Sequence, residues 1–173
     1  MIYFTADTHF GHAKIIEYCK RPFNNVHEMD HELIKRWNER VKPDDSVFHL
    51  GDFCWGNADT ATQYLSQLNG RVHLIYGNHD GISLRNHNGF GIRGQIVDMM
   101  LGGKLVILCH YALRVWDRSH RGSLHLFGHT HGNLVGDSQS CDVGVDAWDY
   151  RPVTLEEAIE RMQTYPKHVD AGP

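Results

Sequence analysis

The sequence predicts a layered α/β fold in a single domain. The chain has 173 residues, of which 41% are hydrophobic and 22% charged, which suits one compact domain with a packed core. Short apolar runs alternate with segments whose apolar residues recur every three or four positions, the pattern of strands alternating with helices. Five predicted strands end in a cluster of Gly, Asp, Asn or His residues. Because strand ends share one edge in such folds, we expect these clusters to converge.

The first half of the chain predicts three strands and two helices. The strands are short apolar runs at residues 2–6, 46–50 and 72–76. Apolar residues at helical spacing predict helices over residues 26–41 and 58–68. Pro43 follows the first helix and Asn69-Gly70 the second, and both are typical signals after a helix C-terminus.

The second half predicts a hairpin, two further strands and a last helix. The hairpin strands are residues 95–101 and 104–109, joined by Gly102-Gly103, and later strands are residues 124–127 and 141–145. A capping box from Thr154 to Glu157 begins a helix that continues through Met162. Residues 165–173 have little apolar content and are predicted to be frayed.

Composition and charge narrow the function classes. The formal net charge of -4 argues against a dedicated nucleic-acid surface, because proteins that bind through phosphate contacts are usually basic. No apolar run approaches the length that crosses a bilayer, and the N-terminus lacks the pattern of a signal peptide. We therefore expect a cytoplasmic protein with no membrane partner. Its four scattered cysteines, without a CxxC pair, are expected to be free thiols.

The clusters that follow the strands have the chemistry of a metal site. They are Asp7-Thr8-His9, Gly51-Asp52, Gly77-Asn78-His79-Asp80, Cys109-His110 and Gly128-His129-Thr130-His131. Their carboxylate, amide and imidazole groups form a mixed O/N set that suits Mn, Fe, Co, Ni or Zn better than Ca or Mg. In the DxH and HxH pairs, alternate residues at a strand end can face one site. The glycines allow the backbone to come close to bound ions.

Taken together, the DxH, GD, GNHD, H and GHxH motifs resemble the calcineurin-like metallophosphoesterase superfamily, from Asp7 to His131. The segments DTHFGH, from Asp7, and LGDF, from Leu50, resemble a small single-domain bacterial and phage branch. The resemblance implies a four-layer αββα sandwich with two mixed β-sheets flanked by helices. It places this domain at residues 1–164 and leaves residues 165–173 as a flexible tail.

The resemblance also implies a role for each motif residue. The first of two divalent ions would be held by Asp7, His9 and His131, the second by Asn78, His110 and His129, with Asp52 bridging and His79 contacting the scissile phosphate. Manganese is the first expectation for both ions, with Fe, Zn, Ni or Co as alternatives. The implied reaction is hydrolysis of a phosphomonoester or phosphodiester by a hydroxide that both ions activate. The expected substrate is small and phosphorylated, such as a nucleotide or a cyclic nucleotide.

Two positions depart from the family pattern. Trp55 stands where many relatives carry an Asp that pairs with the catalytic His. Either another carboxylate such as Asp80 orients His79, or the imidazole is a weaker acid catalyst. Cys109 replaces the usual Gly before a metal-binding His, either as a small buried strand residue or as a thiolate ligand.

Substrate contacts and partners are open at this stage. His12 and Arg114 are candidate substrate-binding residues, and Tyr111 or Trp116 could stack on a base or an aryl group. A homodimer could form through Trp148 and Tyr150 if these aromatics are exposed. The alternative function is a non-catalytic protein-binding scaffold of the same fold. The presence of His79 with every ligand favours the enzyme, and a metal-sensing or storage protein would not need His79.

Overall fold

A computed structural model describes residues 1–169, which form two four-stranded sheets with five α-helices. The first sheet contains β1 (Ile2–Thr5), β2 (Ser46–His49), β3 (Arg71–Ile75) and β4 (Arg93–Gly94) in that order. The second contains β5 (Ile96–Leu101), β6 (Lys104–Cys109), β7 (Leu124–Phe127) and β8 (Ser140–Asp142), also in chain order. The predicted strands are confirmed, although β8 ends at Asp142 because the chain then turns into a 3-10 helix at Val145–Ala147.

The two sheets differ in strand direction. All neighbouring strands of the first sheet are parallel, so the expectation of two mixed sheets is corrected for this one. Phe4, in the edge strand β1 of this sheet, forms an antiparallel bridge with Val153. The second sheet is mixed, with an antiparallel β5–β6 hairpin and parallel β6–β7 and β7–β8 pairs.

The register makes several strand ends level with one another. Thr5 pairs with His49, and His49 pairs with Leu74, so β1, β2 and β3 end at the same edge of the first sheet. In the second sheet Leu108 pairs with Leu126, so the clusters after β6 and β7 also begin side by side. The loops that carry the motifs therefore start from shared edges.

The helices are α1 (Ala13–Tyr18), α2 (Val26–Arg40), α3 (Ala58–Leu65), α4 (Ile82–Arg85) and α5 (Leu155–Met162). The predicted helices correspond to α2, α3 and α5, and the predicted capping box is formed by Thr154 and Glu157. Helices α1 and α4 were not predicted, since six and four residues are too few for a periodic signal. The two-residue strand β4 was also missed, because only its pairing with β3 defines it.

Two hydrophobic clusters give the layers. One lies between the first sheet and α1–α4, where Trp37 of α2 and Leu33 pack with Tyr3 and Val47. The other contains residues of both sheets together with Leu155 of α5. Trp116, in the segment after β6, packs on the second sheet, and its ring centroid lies 5.2 Å from that of His125. The predicted arrangement of two sheets flanked by helices is confirmed.

The start of the predicted tail is held in place. The Ser138 amide donates to the Pro166 carbonyl at 2.8 Å, and His168 Nδ1 lies 2.6 Å from the Asp137 carboxylate. The remainder, residues 170–173, lies outside the described residues, so the boundary at residue 164 stays a prediction. Within the described part, no helix is long and apolar enough to cross a membrane. All four cysteines are free thiols, as predicted.

Candidate metal centre

Main-chain hydrogen bonds join the loops that carry the motifs. The Asp7 amide donates to the Gly51 carbonyl and the His9 amide to the Asp52 carbonyl, each at 3.0 Å. Across the two sheets, the His129 amide donates to Asp7 Oδ2 at 2.8 Å. Side chains from opposite ends of the sequence are thereby held at one site.

The first group of potential ligands contains Asp7, His9 and His131, whose ligand atoms lie within 4.8 Å of one another. Asp7 and His9 are buried, yet Asp7 Oδ1 and His9 Nε2 have no hydrogen-bond partner. Buried polar atoms are rarely left without a partner, because their lost hydration costs about 1–3 kcal/mol each. A cation between these two atoms would satisfy both.

The second group contains Asp52, His110 and His129, again with ligand atoms within 4.8 Å. His110 Nδ1 donates to the Leu50 carbonyl at 2.7 Å, which leaves the Nε2 lone pair of the neutral ring free for a metal ion. Asn78 Oδ1 lies 3.0 Å from this Nε2, so the amide oxygen stands beside the group. All seven predicted ligands are thus brought to one site, in two groups.

Asp52 lies between the two groups. Its Oδ2 atom is 3.6 Å from His9 Nε2 and also 3.6 Å from His110 Nε2. Its Oδ1 atom accepts a hydrogen bond from the His79 amide at 2.8 Å. This position suits a carboxylate that bridges two ions, and it also fixes the backbone of the predicted catalytic residue.

The backbone at the site is strained. Five of the predicted ligands have positive φ angles, namely Asp7 (58°), His9 (49°), Asp52 (59°), His129 (67°) and His131 (49°). Non-glycine residues seldom adopt this left-handed conformation, and such strain concentrates at functional sites. Glycines are also required at this site because the backbone packs closely against neighbouring atoms. A Cβ atom on Gly51 would lie 2.5 Å from the Gly77 nitrogen, and one on Gly128 would lie 2.7 Å from Asp7 Oδ2.

The electrostatics of the ligands fit a cation. Burial raises the pKa of Asp7 well above its ordinary value, and the nearby Asp142 and Asp52 carboxylates add to this effect, which the His131 charge opposes only in part. Burial, reinforced by His131 and Arg21, lowers the pKa of His9 to about 2, so this ring is neutral and keeps a lone pair. A divalent ion would stabilise the carboxylate of Asp7 and accept the lone pair of His9.

Two residues behind the ligands were missed by sequence reasoning. The Asp146 carboxylate lies 2.7 Å from Nδ1 of His131, and Arg21 donates to both its oxygens at 2.8 and 2.7 Å. Burial alone would lower the pKa of His131, but hydrogen bonding to Asp146 outweighs it and raises the pKa to about 10. Arg21 and Asp146 are 125 positions apart and belong to none of the motifs, so no local signal could have linked them.

The structure corrects the suggested role of Asp80. Its carboxylate is buried and accepts from the backbone amides of Asp52, Phe53 and Gly77 at 2.8–3.0 Å. Asp80 therefore stabilises the loops, and it makes no described hydrogen bond to the His79 ring. That ring is exposed at the mouth of the site, with its centroid 5.4 Å from that of His9.

Two cavities lie near the centre, although none of the seven predicted ligands lines either of them. The first, called the Trp55 cavity, has a volume of about 570 Å³ and is lined by Gly11, His12, Ala13, Lys14, Tyr18, Trp55 and His79. The second, called the Cys109 cavity, has a volume of about 300 Å³ and is lined by Tyr76, Gly77, Arg85, Gln95, Ile96, Cys109, Tyr111 and Leu113. They have no lining residue in common. The first adjoins His79, and the second adjoins the neighbours of Asn78 and His110.

The two candidate substrate-binding residues, His12 and Arg114, line different cavities. His12 lines the Trp55 cavity together with His79, whereas Arg114 lines another cavity with Asp137 and Lys167. Burial raises the pKa of the Cys109 thiol, which fits the interpretation as a small strand residue.

The exposure of each aromatic side chain shows whether it can contact a ligand or a partner protein. Trp116 is buried and cannot stack on a ligand, while Tyr111 is 45% exposed. Trp148 is buried too, and its Nε1 donates to the Asp142 carbonyl at 2.7 Å. The suggested dimer contact through an exposed Trp148 is therefore wrong, because this ring belongs to the core.

Comparison with known proteins agrees with this geometry. The Calcineurin-like phosphoesterase superfamily domain matches residues 1–144. The uncharacterized protein MJ1445 of Methanocaldococcus jannaschii is 34% identical over 171 residues, which cover 94% of this chain and 91% of that protein. The Gene 66 protein of Mycobacterium phage L5 is 28% identical over 192 residues, with 91% and 92% covered. The crystal structure of AQ665 from Aquifex aeolicus, a protein of unknown function, matches with a TM-score of 0.73 and 27% identity, covering 91% of this chain and 96% of that one. The chain therefore belongs to the calcineurin-like phosphoesterase superfamily.

Proposed function

We propose that the protein is a phosphoesterase that hydrolyses phosphate esters with a dinuclear divalent metal centre, and that diesters are its preferred substrates. The observation that carries this proposal is the position of Asp52 Oδ2, 3.6 Å from one imidazole nitrogen in each ligand group. A mononuclear site would need only one of the groups. Two groups that share a central carboxylate fit a pair of ions.

The charge balance of the site favours an anionic substrate. Asp7 and Asp52 are the carboxylates of the two groups, and the other ligands, His9, His110, His129, His131 and Asn78, are neutral when they bind an ion. Two divalent ions held by this set keep surplus positive charge. Such ions act as Lewis acids and lower the pKa of a bound water from about 15.7 toward neutrality.

His79 is placed to act on the substrate. Asp52 Oδ1 fixes its backbone amide, while its exposed ring is free to reach a phosphate oxygen or the leaving oxygen. A protonated imidazole there can donate a proton to the leaving group, an effect worth roughly 10²–10⁴-fold in rate. Among the described residues, no carboxylate is hydrogen-bonded to the His79 ring. The centroid of the Trp55 ring lies 5.9 Å from that of His79. Its acid role therefore depends on the substrate and the ions.

The preference for diesters rests on the two cavities. A diester carries a substituent on both sides of phosphorus, whereas a monoester carries one. His79 lines the Trp55 cavity, and Gly77, Cys109 and Tyr111, the chain neighbours of Asn78 and His110, line the Cys109 cavity, so each cavity can receive one substituent. A monoesterase would have no use for the second cavity.

The test is a paired assay of metal-stripped and manganese-reloaded protein on an aryl phosphomonoester and an aryl phosphodiester. We expect cleavage only after reloading, with a higher kcat/KM for the diester. Asp52→Asn is expected to lose both metal binding and activity, whereas His79→Ala should keep bound metal and lose about 10²-fold or more in kcat. Activity without metal, or saturation at one ion per chain, would contradict the dinuclear mechanism. Two bound ions without hydrolysis of any ester would support the protein-binding scaffold.

A further inference from the structure

The Trp55 cavity contains large aromatic side chains that packing does not explain. Trp55 is 55% exposed and Tyr18 is 67% exposed, although both lie next to a well-buried core. The His12 ring stacks on Trp55 with centroids 4.4 Å apart and planes 10° apart. Since His12 covers one face of the indole, the exposed surface of Trp55 lies on its other face and edge.

The same cavity offers a positive charge. Lys14 is exposed on α1 and makes no hydrogen bond or ion pair in the described part of the chain. Its ammonium is therefore available to a negatively charged ligand. A cavity of about 570 Å³ also falls within the size range of small-molecule sites.

We propose that the Trp55 cavity is a nucleobase subsite, in which the base of a nucleotide ester stacks on Trp55 while its phosphate lies at the metal centre beside His79. This proposal rests on the proposed function for the identity of the reacting group. Aromatic side chains bind bases of any sequence by stacking on their π-faces. Tyr18 borders the base, and the Lys14 ammonium favours the negatively charged nucleotide over an uncharged nucleoside.

Tryptophan fluorescence can test the subsite independently of hydrolysis. The chain has four tryptophans, and the other three, Trp37, Trp116 and Trp148, are only 1%, 7% and 7% exposed. A base that stacks on Trp55 should therefore quench the exposed fluorophore alone. The probe is adenosine 5′-monothiophosphate, which resists hydrolysis, added to protein loaded with zinc, which is diamagnetic. Inorganic phosphate is the ligand control.

We expect saturable quenching by the nucleotide in the wild type, none with phosphate, and loss of the signal in Trp55→Phe. By calorimetry, Trp55→Ala should weaken nucleotide binding by about tenfold relative to phosphate binding. Lys14→Gln should weaken binding of the nucleotide more than that of adenosine. Lys167→Gln, which removes the same charge from a different cavity, serves as its control.

The outcomes separate the subsite from the reaction. Absence of quenching in the wild type, or equal quenching in Trp55→Phe, would overturn the subsite whatever esters the enzyme cleaves. Quenching that depends on Trp55 supports the subsite even if no ester is hydrolysed. Equal loss of nucleotide and phosphate affinity in Trp55→Ala would instead show that Trp55 only supports the metal centre, and would also overturn the subsite.

Discussion

The Asp146 carboxylate lies 2.7 Å from Nδ1 of His131, a residue of the first ligand group. The contact fixes the ring so that Nε2 can bind an ion, and the buried Arg21 guanidinium holds Asp146 through both oxygens. A carboxylate behind a metal-binding imidazole typically changes metal affinity by 10–100-fold. We therefore expect Asp146, which belongs to no motif, to affect metal binding.

We expect Asp146→Asn to weaken metal binding by about 10–100-fold, because the amide loses the charge that orients and polarises His131. The dissociation constant can be measured by calorimetry with manganese. Asp59→Asn, the same change at the exposed start of α3, is the control and should leave affinity within error. Unchanged affinity in Asp146→Asn would mean that the carboxylate serves only to pair with Arg21.

Asp7 should show opposite effects on stability and on metal binding. Without metal, burial and the nearby Asp142 and Asp52 carboxylates disfavour the charge of Asp7, so Asp7→Asn, which removes it, should raise the free energy of unfolding of metal-free protein by about 1 kcal/mol. The same variant should lose the increase in Tm that manganese gives the wild type, since a ligand that binds only the folded state stabilises it. Thermal melts with chelator and with manganese measure both effects.

The control for Asp7 is Asp44→Asn, the same substitution at an exposed residue. Asp44 precedes β2 and so lies at the end of that strand opposite to the metal centre. It should alter neither Tm nor the manganese shift. A metal-free Asp7→Asn protein that melts well below the wild type would contradict the view that this carboxylate is destabilising without an ion.

Gly51 should not tolerate a side chain. It has a φ of 95°, and an added Cβ would lie 2.5 Å from the Gly77 nitrogen and 2.6 Å from His110 Nδ1. Backbone strain and overpacking together should make Gly51→Ala less stable by about 2–4 kcal/mol. Gly81→Ala meets no atom within 4 Å and should lie within about 0.5 kcal/mol of wild type. Urea unfolding gives both values, and a Gly51→Ala protein as stable as Gly81→Ala would refute the packing argument.

Glu157 predicts a specific dependence of stability on pH. Burial alone would raise its pKa, but the Thr154 amide and the Arg40 guanidinium outweigh it and lower the pKa below the ordinary value. A carboxylate with a lowered pKa stabilises the fold above its unfolded pKa of about 4.3, and this contribution is lost as pH falls through the folded pKa. In metal-free protein, Glu157→Gln should cost about 1 kcal/mol at pH 7.

The difference between wild type and Glu157→Gln should shrink as the pH is lowered below about 4, and chemical denaturation at several pH values measures it. Glu156→Gln changes the exposed neighbour in the same helical turn and should show no such trend. A difference that stays constant from pH 7 to pH 3 would mean that the charge of Glu157 has no part in stability.

Much of the candidate site can be predicted from the sequence, because the predicted metal ligands follow strands. Asp7, Asp52, Asn78 and His110 each come directly after an apolar run, and parallel strands bring such positions to one edge. Local periodicity also predicts α2 and both strands of the β5–β6 hairpin. The surroundings of the ligands are less predictable. Asp80 could be named as a partner of His79, yet its distances to three backbone amides show a different role.

Except for α1, α4 and β4, the sequence alone determined the order of strands and helices. It also determined the residues available as ligands and the family to which they point, because these depend on neighbouring positions and on residue chemistry. Only the tertiary structure decided that Arg21 and Asp146 lie behind His131 and that Trp148 is buried while Trp55 is exposed. It also decided that Asp52 Oδ2 lies 3.6 Å from both His9 Nε2 and His110 Nε2. Those facts depend on contacts between residues distant in the chain, and on which side of each element packs against another. Local periodicity indicates the apolar face of a helix or strand, but it does not specify which distant residues that face contacts.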